Sequence, residues 1–150
     1  MRSIATPLTA LSAALLGALV CTASAAQPRA LRPVTDAMLQ RPHPADWLSW
    51  RRTLDHWAYS PLDQVNKRNV AQLRLVWTRP LAPGVQEGTP LVHDGVMFFP
   101  NPNDITQAID AATGDLIWEY RRPVQEDNAE YIPFPSINRN LAIHGNLIFD

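Results

Sequence analysis

Cysteine is almost missing: the 150 residues hold one, Cys21, inside an apolar N-terminal run. Loss of that run would leave no thiol and no disulfide, so thiol redox chemistry is excluded. Charge of one sign is missing too. Thirteen Lys and Arg face 14 Asp and Glu, scattered rather than clustered, for a net charge of −1. No basic patch remains for nucleic acid or an anionic membrane. No C-x-x-C-H occurs, so this segment attaches no haem. His43, His56, His93 and His144 lack paired ligand spacing and are expected at the surface, His93 and His144 at hairpin turns. The pairs Arg51-Arg52 and Arg121-Arg122 are expected to face solvent or neighbouring sheets.

Residues 1–25 are a candidate export signal. Arg2 precedes the apolar "ATPLTALSAALLGALVCTASA", which ends in Ala23-Ser24-Ala25, the small-x-small pattern of a signal peptidase site. The apolar core is shorter than the ~20 residues that span a bilayer. Val20, bulky ahead of Cys21, argues against a lipoprotein signal. The expected product is periplasmic, with no membrane span after cleavage. Residues 26–45 are proline-punctuated and read as an N-terminal arm, with a short helix over 35–40 capped by Thr35 or Asp36.

From residue 46 the pattern changes. "NKRNVAQL" offers one helical turn before the strand-like "LRLVWTRP". In "PLVHDGVMFFP" two β-rich runs meet at Asp94-Gly95, a pair suited to a tight hairpin. "LAIHGNLIFD" repeats the shape fifty residues on, with Leu141 matching Leu91 and Gly145 matching Gly95. Between them a third strand is expected over Ile105–Asp110, then the turn "AATG", then a fourth strand in "DLIWEY". Gly114 permits a left-handed turn, Asp110 accepts amide hydrogens across it, and Ala108 leaves room for a large neighbour. Trp118 supplies a flat surface by which one wedge adheres to the next. Short strands repeating at this period point to a β-propeller. One unit and part of another cannot close a ring, so residues 46–150 are expected to open a longer, truncated propeller.

The pattern Ala108-x-Asp110-x-x-Thr113-Gly114-x-x-x-Trp118 resembles the tryptophan-docking motif of the quinoprotein alcohol dehydrogenases, the methanol and ethanol dehydrogenase-like family that uses pyrroloquinoline quinone (PQQ). "WAYSPLDQVNKRNVAQLRLVW", "QEGTPLVHDGVMFFP" and "NRNLAIHGNLIF" are similar to that family's opening segments. The resemblance implies an all-β fold, the first blade and the start of the second of an eight-bladed propeller. It further implies PQQ with calcium or a lanthanide ion, a small alcohol as substrate, and cytochrome c or a similar electron acceptor. Glu87, in the glycine-bounded loop "GVQEGTP", matches a cofactor-reaching glutamate; beside the anionic PQQ it would bond the pyrrole N–H or share a proton. Its bland alternative is a solvated rim carboxylate. Arg139, in "SINRN", matches the cofactor-contacting arginine, a planar fork suited to carboxylate or quinone oxygens. Its alternative is a structural pair with an acid such as Glu130.

The resemblance places no catalytic residue and no metal ligand in this segment; the proton-abstracting base and the metal ligands are expected downstream of Asp150, and the fragment alone is expected to be inactive. Where many members carry two adjacent cysteines, Pro133 and Phe134 stand here, and Phe134 takes the place that would cover the cofactor face. The competing readings are a non-catalytic periplasmic propeller scaffold and a truncated gene product.

Overall fold

The computed structural model describes residues 30–123, 137 and 139–150. The hairpin of β1 (Leu91–His93) and β2 (Val96–Asn101) forms because Asp94 and Gly95 both take positive φ, 49° and 78°, as a two-residue turn between twisted strands requires. β3 (Ile105–Asp110) has the bounds expected from sequence, and β4 (Leu116–Arg121) starts one residue later than expected. The four strands form an antiparallel meander in the order β1-β2-β3-β4. Ile117 is the extra residue of a bulge: Ala108 faces Trp118, yet Ile109 already faces Leu116.

The turn between β3 and β4 works as its residues predict. The Asp110 carboxylate accepts the amides of Ala112 and Thr113 at 2.8 and 3.0 Å, and Gly114, at φ 78°, donates its N–H to the Asp110 carbonyl at 2.8 Å. Ala108 is fully buried between its ladder partners Phe98 and Trp118, whose rings meet 6.0 Å apart. Its small side chain provides the expected room.

A second hairpin, β5 (Ala142–His144) with β6 (Leu147–Phe149), closes one face of the sheet. Leu91, Val96, Phe98 and Ala108 share a core there with Leu141, Ile143, Val34 and Leu48. The fifty-residue repeat is therefore structural, with Leu91 and Leu141 buried together. The N-terminal segment helps to hold the two wedges. Val34 exchanges both backbone hydrogen bonds with Gly145, and Trp47 does the same with Val92. The arm's helix, α1 (Asp36–Gln40), has Thr35 as its cap, whose hydroxyl accepts the Met38 amide at 3.3 Å.

On the opposite face Trp77, Arg79 and Leu81 line a hollow of about 190 Å³ with Met97, Phe99, Gln107 and Ile109. The tryptophan laid over the docking turn is thus Trp77, and Trp118 serves the other face. Trp77 donates its indole N–H to the Ala111 carbonyl at 3.2 Å, and a Cβ added to Gly114 would lie 2.7 Å from its ring. The strand-like "LRLVWTRP" has no ladder partner among the described residues; Leu75 and Val76 are 80% and 81% exposed. Apolar alternation marks a surface that can pair, while the pairing itself needs an edge that local sequence does not reveal. The expected helical turn before it is a 3-10 turn, Val70–Gln72.

Two surface expectations fail. His93 is 1% exposed because it shares the inward face of β1 with Leu91. Arg52 is also buried, at a positive φ of 68°, with its guanidinium reaching the carbonyls of Pro42 and His43 at 3.4 and 3.5 Å.

Gly114→Ala should destabilise the protein by about 1–3 kcal/mol, since the new methyl group meets the Trp77 ring on a backbone already in the left-handed region. Urea denaturation followed by tryptophan fluorescence measures this; an unchanged midpoint would show that the docking contact contributes nothing.

Candidate functional site

Glu87 sits at the end of the sheet away from the Asp94-Gly95 turn, on a loop more constrained than its glycines imply. A Cβ at Gly88 would lie 2.2 Å from Pro100 Cγ, and one at Gly84 would lie 2.5 Å from Pro102 Cβ. The Gln86 side-chain amide donates to the Pro100 carbonyl at 2.8 Å. The glycines thus let the backbone lie directly on the prolines around the β2–β3 turn. Glu87 is fixed between two such contacts.

Arg139 reaches the same place from the far side of the sequence. Its carbonyl accepts the Thr89 amide at 3.3 Å, and its Nε donates to Glu87 Oε2 at 2.8 Å. The two residues read separately as cofactor contacts form one ion pair, with side chains 43% and 63% exposed. Among the described residues the terminal nitrogens of Arg139 make no other hydrogen bond. Glu130, Pro133, Phe134 and Asn138 lie outside the described residues, so the alternative pairing with Glu130 and the covering role of Phe134 do as well. Counting the described residues alone, a guanidinium fork with donors to spare stands beside a carboxylate acceptor, a set that fits a planar polyanion carrying both carboxylates and a ring N–H.

The opposite end of the hairpin holds a polar cluster that sequence reasoning missed. Asp46, His93 and Asp94 bring ligand-type atoms within 4.8 Å of one another. Arg32 already meets the charge of Asp94: its backbone N–H and Nε reach the carboxylate at 3.0 Å, and its Nη2 also contacts Oδ1. The cluster is therefore held by ion pairs. The side-chain hydrogen bond from Arg32 holds the Asp94 carboxyl well below the usual carboxylate range, against the opposing effect of burial. The available signal was the i, i+2 relation of Leu91 and His93, which puts the imidazole on the buried side of β1.

Residues 47–144 match the family model described as the glucose/ethanol/alcohol dehydrogenase β-propeller domain, PQQ. The chain belongs to that family. It is 40% identical over 108 residues to the dehydrogenase subunit of the quinone alcohol dehydrogenase of Komagataeibacter europaeus, a match covering 71% of this chain and 15% of that protein. It is 39% identical over 102 residues to the quinohemoprotein alcohol dehydrogenase ADH-IIG of Pseudomonas putida, covering 67% and 14%. The solved structure of ADHIIG from Pseudomonas putida HK5 superposes with a TM-score of 0.68 at 34% identity, covering 79% of this chain and 18% of that one. A europium-containing methanol dehydrogenase superposes at 0.64 with 26% identity, covering 75% and 20%. The chain thus spans about 15% of the length of the first of these relatives. Its four-stranded wedge and following hairpin are part of a quinoprotein β-propeller.

The Asp94 carboxylate should leave a mark on acid stability. A depressed carboxyl contributes fully above the ordinary aspartate range near pH ~4, and the contribution is lost as pH falls below it. Asp94→Asn should lower the urea midpoint at pH 7, and the gap to wild type should narrow steadily below about pH 4. A gap that stays constant down to about pH 2 would mean that the Arg32 pair does not stabilise the fold.

Proposed function

We propose that this chain opens a periplasmic PQQ-dependent alcohol dehydrogenase, in which Glu87 and Arg139 contact the cofactor. The observation that carries the reading is their meeting at 2.8 Å on a loop pinned by Pro100 and Pro102. Arg139 would direct its remaining donors at a carboxylate or quinone oxygen, and Glu87 would accept a ring N–H or share a proton. When bound, PQQ with calcium or a lanthanide ion supplies the two-electron oxidant for a small alcohol. Fixing the guanidinium beside Glu87 before the ligand arrives lowers the ordering cost of binding.

Proton abstraction and metal ligation belong, in this proposal, to sequence beyond Asp150, so the chain by itself is inactive. The short span relative to the relatives supports that division. A cytochrome c is proposed as electron acceptor; one relative, 36% identical over 93 residues, is the 1-butanol dehydrogenase (cytochrome c) of Thauera butanivorans. Residues 1–25 are proposed as an export signal, followed by the arm of residues 26–45 and the propeller from residue 46. Among the described residues no helix is long and apolar enough to cross a membrane.

Arg139→Lys in the full-length protein tests the site. Lysine keeps the charge and loses the fork, so one charge-assisted hydrogen bond to the cofactor should be lost, about 1.5–3 kcal/mol or roughly ten- to a hundredfold in PQQ affinity. The stability of the apo protein should change by less than about 1 kcal/mol, as for a solvent-exposed ion pair. Titration of PQQ with calcium or a lanthanide into both apo proteins, beside their urea midpoints, gives the two readouts. Unchanged affinity would leave Glu87–Arg139 as a surface ion pair and favour the scaffold reading. The export proposal has its own check: mass spectrometry of the mature protein should find its N-terminus at or next to Ala26, and a retained Met1 would overturn it.

A further inference from the structure

Glu87 owes its place to the residues on either side of it, and both rest on one proline. β1 ends at Leu91, opposite Phe98, so β2 continues past it through Asn101. Gln86 bonds along that overhang, its side-chain amide donating to the Pro100 carbonyl at 2.8 Å. Gly88 lies on the ring of the same residue, where a Cβ would not fit. Gln86 Nε2 is itself 3.1 Å from where that Cβ would stand, so the glutamine side chain runs from one neighbour of Glu87 to the other. Thr89, next along, gives its amide to the Arg139 carbonyl. Pro100 faces Thr106 in the ladder, and the Thr106 hydroxyl donates to the Asp150 carboxylate at 2.8 Å, just past the second hairpin. The proline is thus tied both to the loop of Glu87 and to the hairpin that follows Arg139.

The Gln86 amide does little for the fold alone. Its nitrogen is bonded, but its Oε1 is buried with no hydrogen-bond partner among the described residues. A buried acceptor left unmet opposes folding at least as strongly as one satisfied hydrogen bond favours it. An apolar side chain of the same length would lose the bond and remove the penalty together. What only the amide supplies is direction: it fixes the backbone at the residue before Glu87.

We propose that Gln86 is a positioning residue for the cofactor site, holding Glu87 beside Arg139 in the geometry that receives PQQ without touching PQQ itself. This rests on the reading of Glu87 and Arg139 as cofactor contacts. The ion pair cannot hold that geometry unaided, since its side chains are 43% and 63% exposed and such pairs are weak in water. Without the Gln86 bond, Gly84 and Gly88 still approach their prolines, but the segment between them has lost its hydrogen bond to β2. Glu87 then samples other orientations, and affinity falls by the fraction of time the competent one is populated.

The test titrates PQQ with calcium or a lanthanide into the full-length apo protein and into Gln86→Met, Glu87→Ala and the double variant, following binding in real time. Methionine matches the length of glutamine and carries no amide. Gln86→Met should weaken PQQ roughly three- to tenfold, as a competent state populated about a third to a tenth of the time requires. The loss should fall on the association rate, with dissociation unchanged. In the Glu87→Ala background the same substitution should alter affinity by less than about twofold, because the residue it positions is gone. The apo urea midpoint of Gln86→Met should match wild type. Gln86→Asn, which draws the amide back from Pro100 by one methylene, should show the same pattern and stands in should the methionine variant not fold. Equal weakening in both backgrounds, or none in either, overturns the positioning role. Faster dissociation with unchanged association also overturns it, since that marks a direct contact with PQQ. Glu87→Ala with wild-type affinity removes the cofactor contact itself and the positioning role with it, so failure of the underlying reading shows in that single variant.

Discussion

A twisted four-stranded sheet has two faces, and β1–β4 cannot bury either by itself. That constraint organises what surrounds it. One face is apolar enough to share a core with the second hairpin and the arm, through Phe98, Ala108, Ile143 and Val34. The other face is covered by a strip from residues 77–81 that adheres through Trp77 on Gly114 and through Arg79, which donates to Gln107 at 3.3 Å and to the Gly114 carbonyl at 3.4 Å. An indole can lie this close to a peptide only where a Cβ is missing. The glycine of the docking motif therefore does two things: its positive φ turns the chain from β3 to β4, and its bare backbone receives the neighbouring tryptophan.

Features set by a few adjacent residues were legible in the sequence. The Asp94-Gly95 hairpin, the Asp110 to Gly114 turn, the bounds of β3 and a helix cap narrowed to Thr35 or Asp36 all follow from local backbone demands and short-range hydrogen bonds. Trp77 and Trp118 could not be told apart that way, since both are tryptophans within β-rich runs, and the choice of turn depends on which wedge each faces. The same holds for "LRLVWTRP", whose edge partner is a tertiary matter. Arg52 was misread because arginine is mostly exposed, and its left-handed backbone, which turns the guanidinium inward over residues 42–43, has no residue-level signal. His93 was recoverable from alternation along β1, had the histidine been weighed by its face rather than by its closeness to a turn.

The candidate site shows the same division more sharply. Glu87 and Arg139 were each found by resemblance to a family pattern, while their contact, across 52 residues of sequence, was not. Glycines such as the two in "GVQEGTP" usually signal backbone freedom. Here Gly84 and Gly88 mark close approach, one to Pro102 and the other to Pro100, and the freedom is used up by packing.

That packing decides how the ion pair should be understood. Two half-exposed side chains in water gain about 0–1 kcal/mol from pairing, too little to hold a long arginine and a glutamate in one geometry against their rotamer entropy. Their positions must come from the backbone: prolines under Gly84 and Gly88, the Gln86 bond to Pro100, and the Thr89 amide on the Arg139 carbonyl. The pair is then an outcome of a rigid frame rather than its cause. Such a frame leaves the guanidinium fork oriented with little further entropy to lose, so an anionic partner would meet donors already in place. On such a frame, altering the charge pair is expected to have little effect on folding, whereas methyl groups on its glycines would displace the loop that carries it.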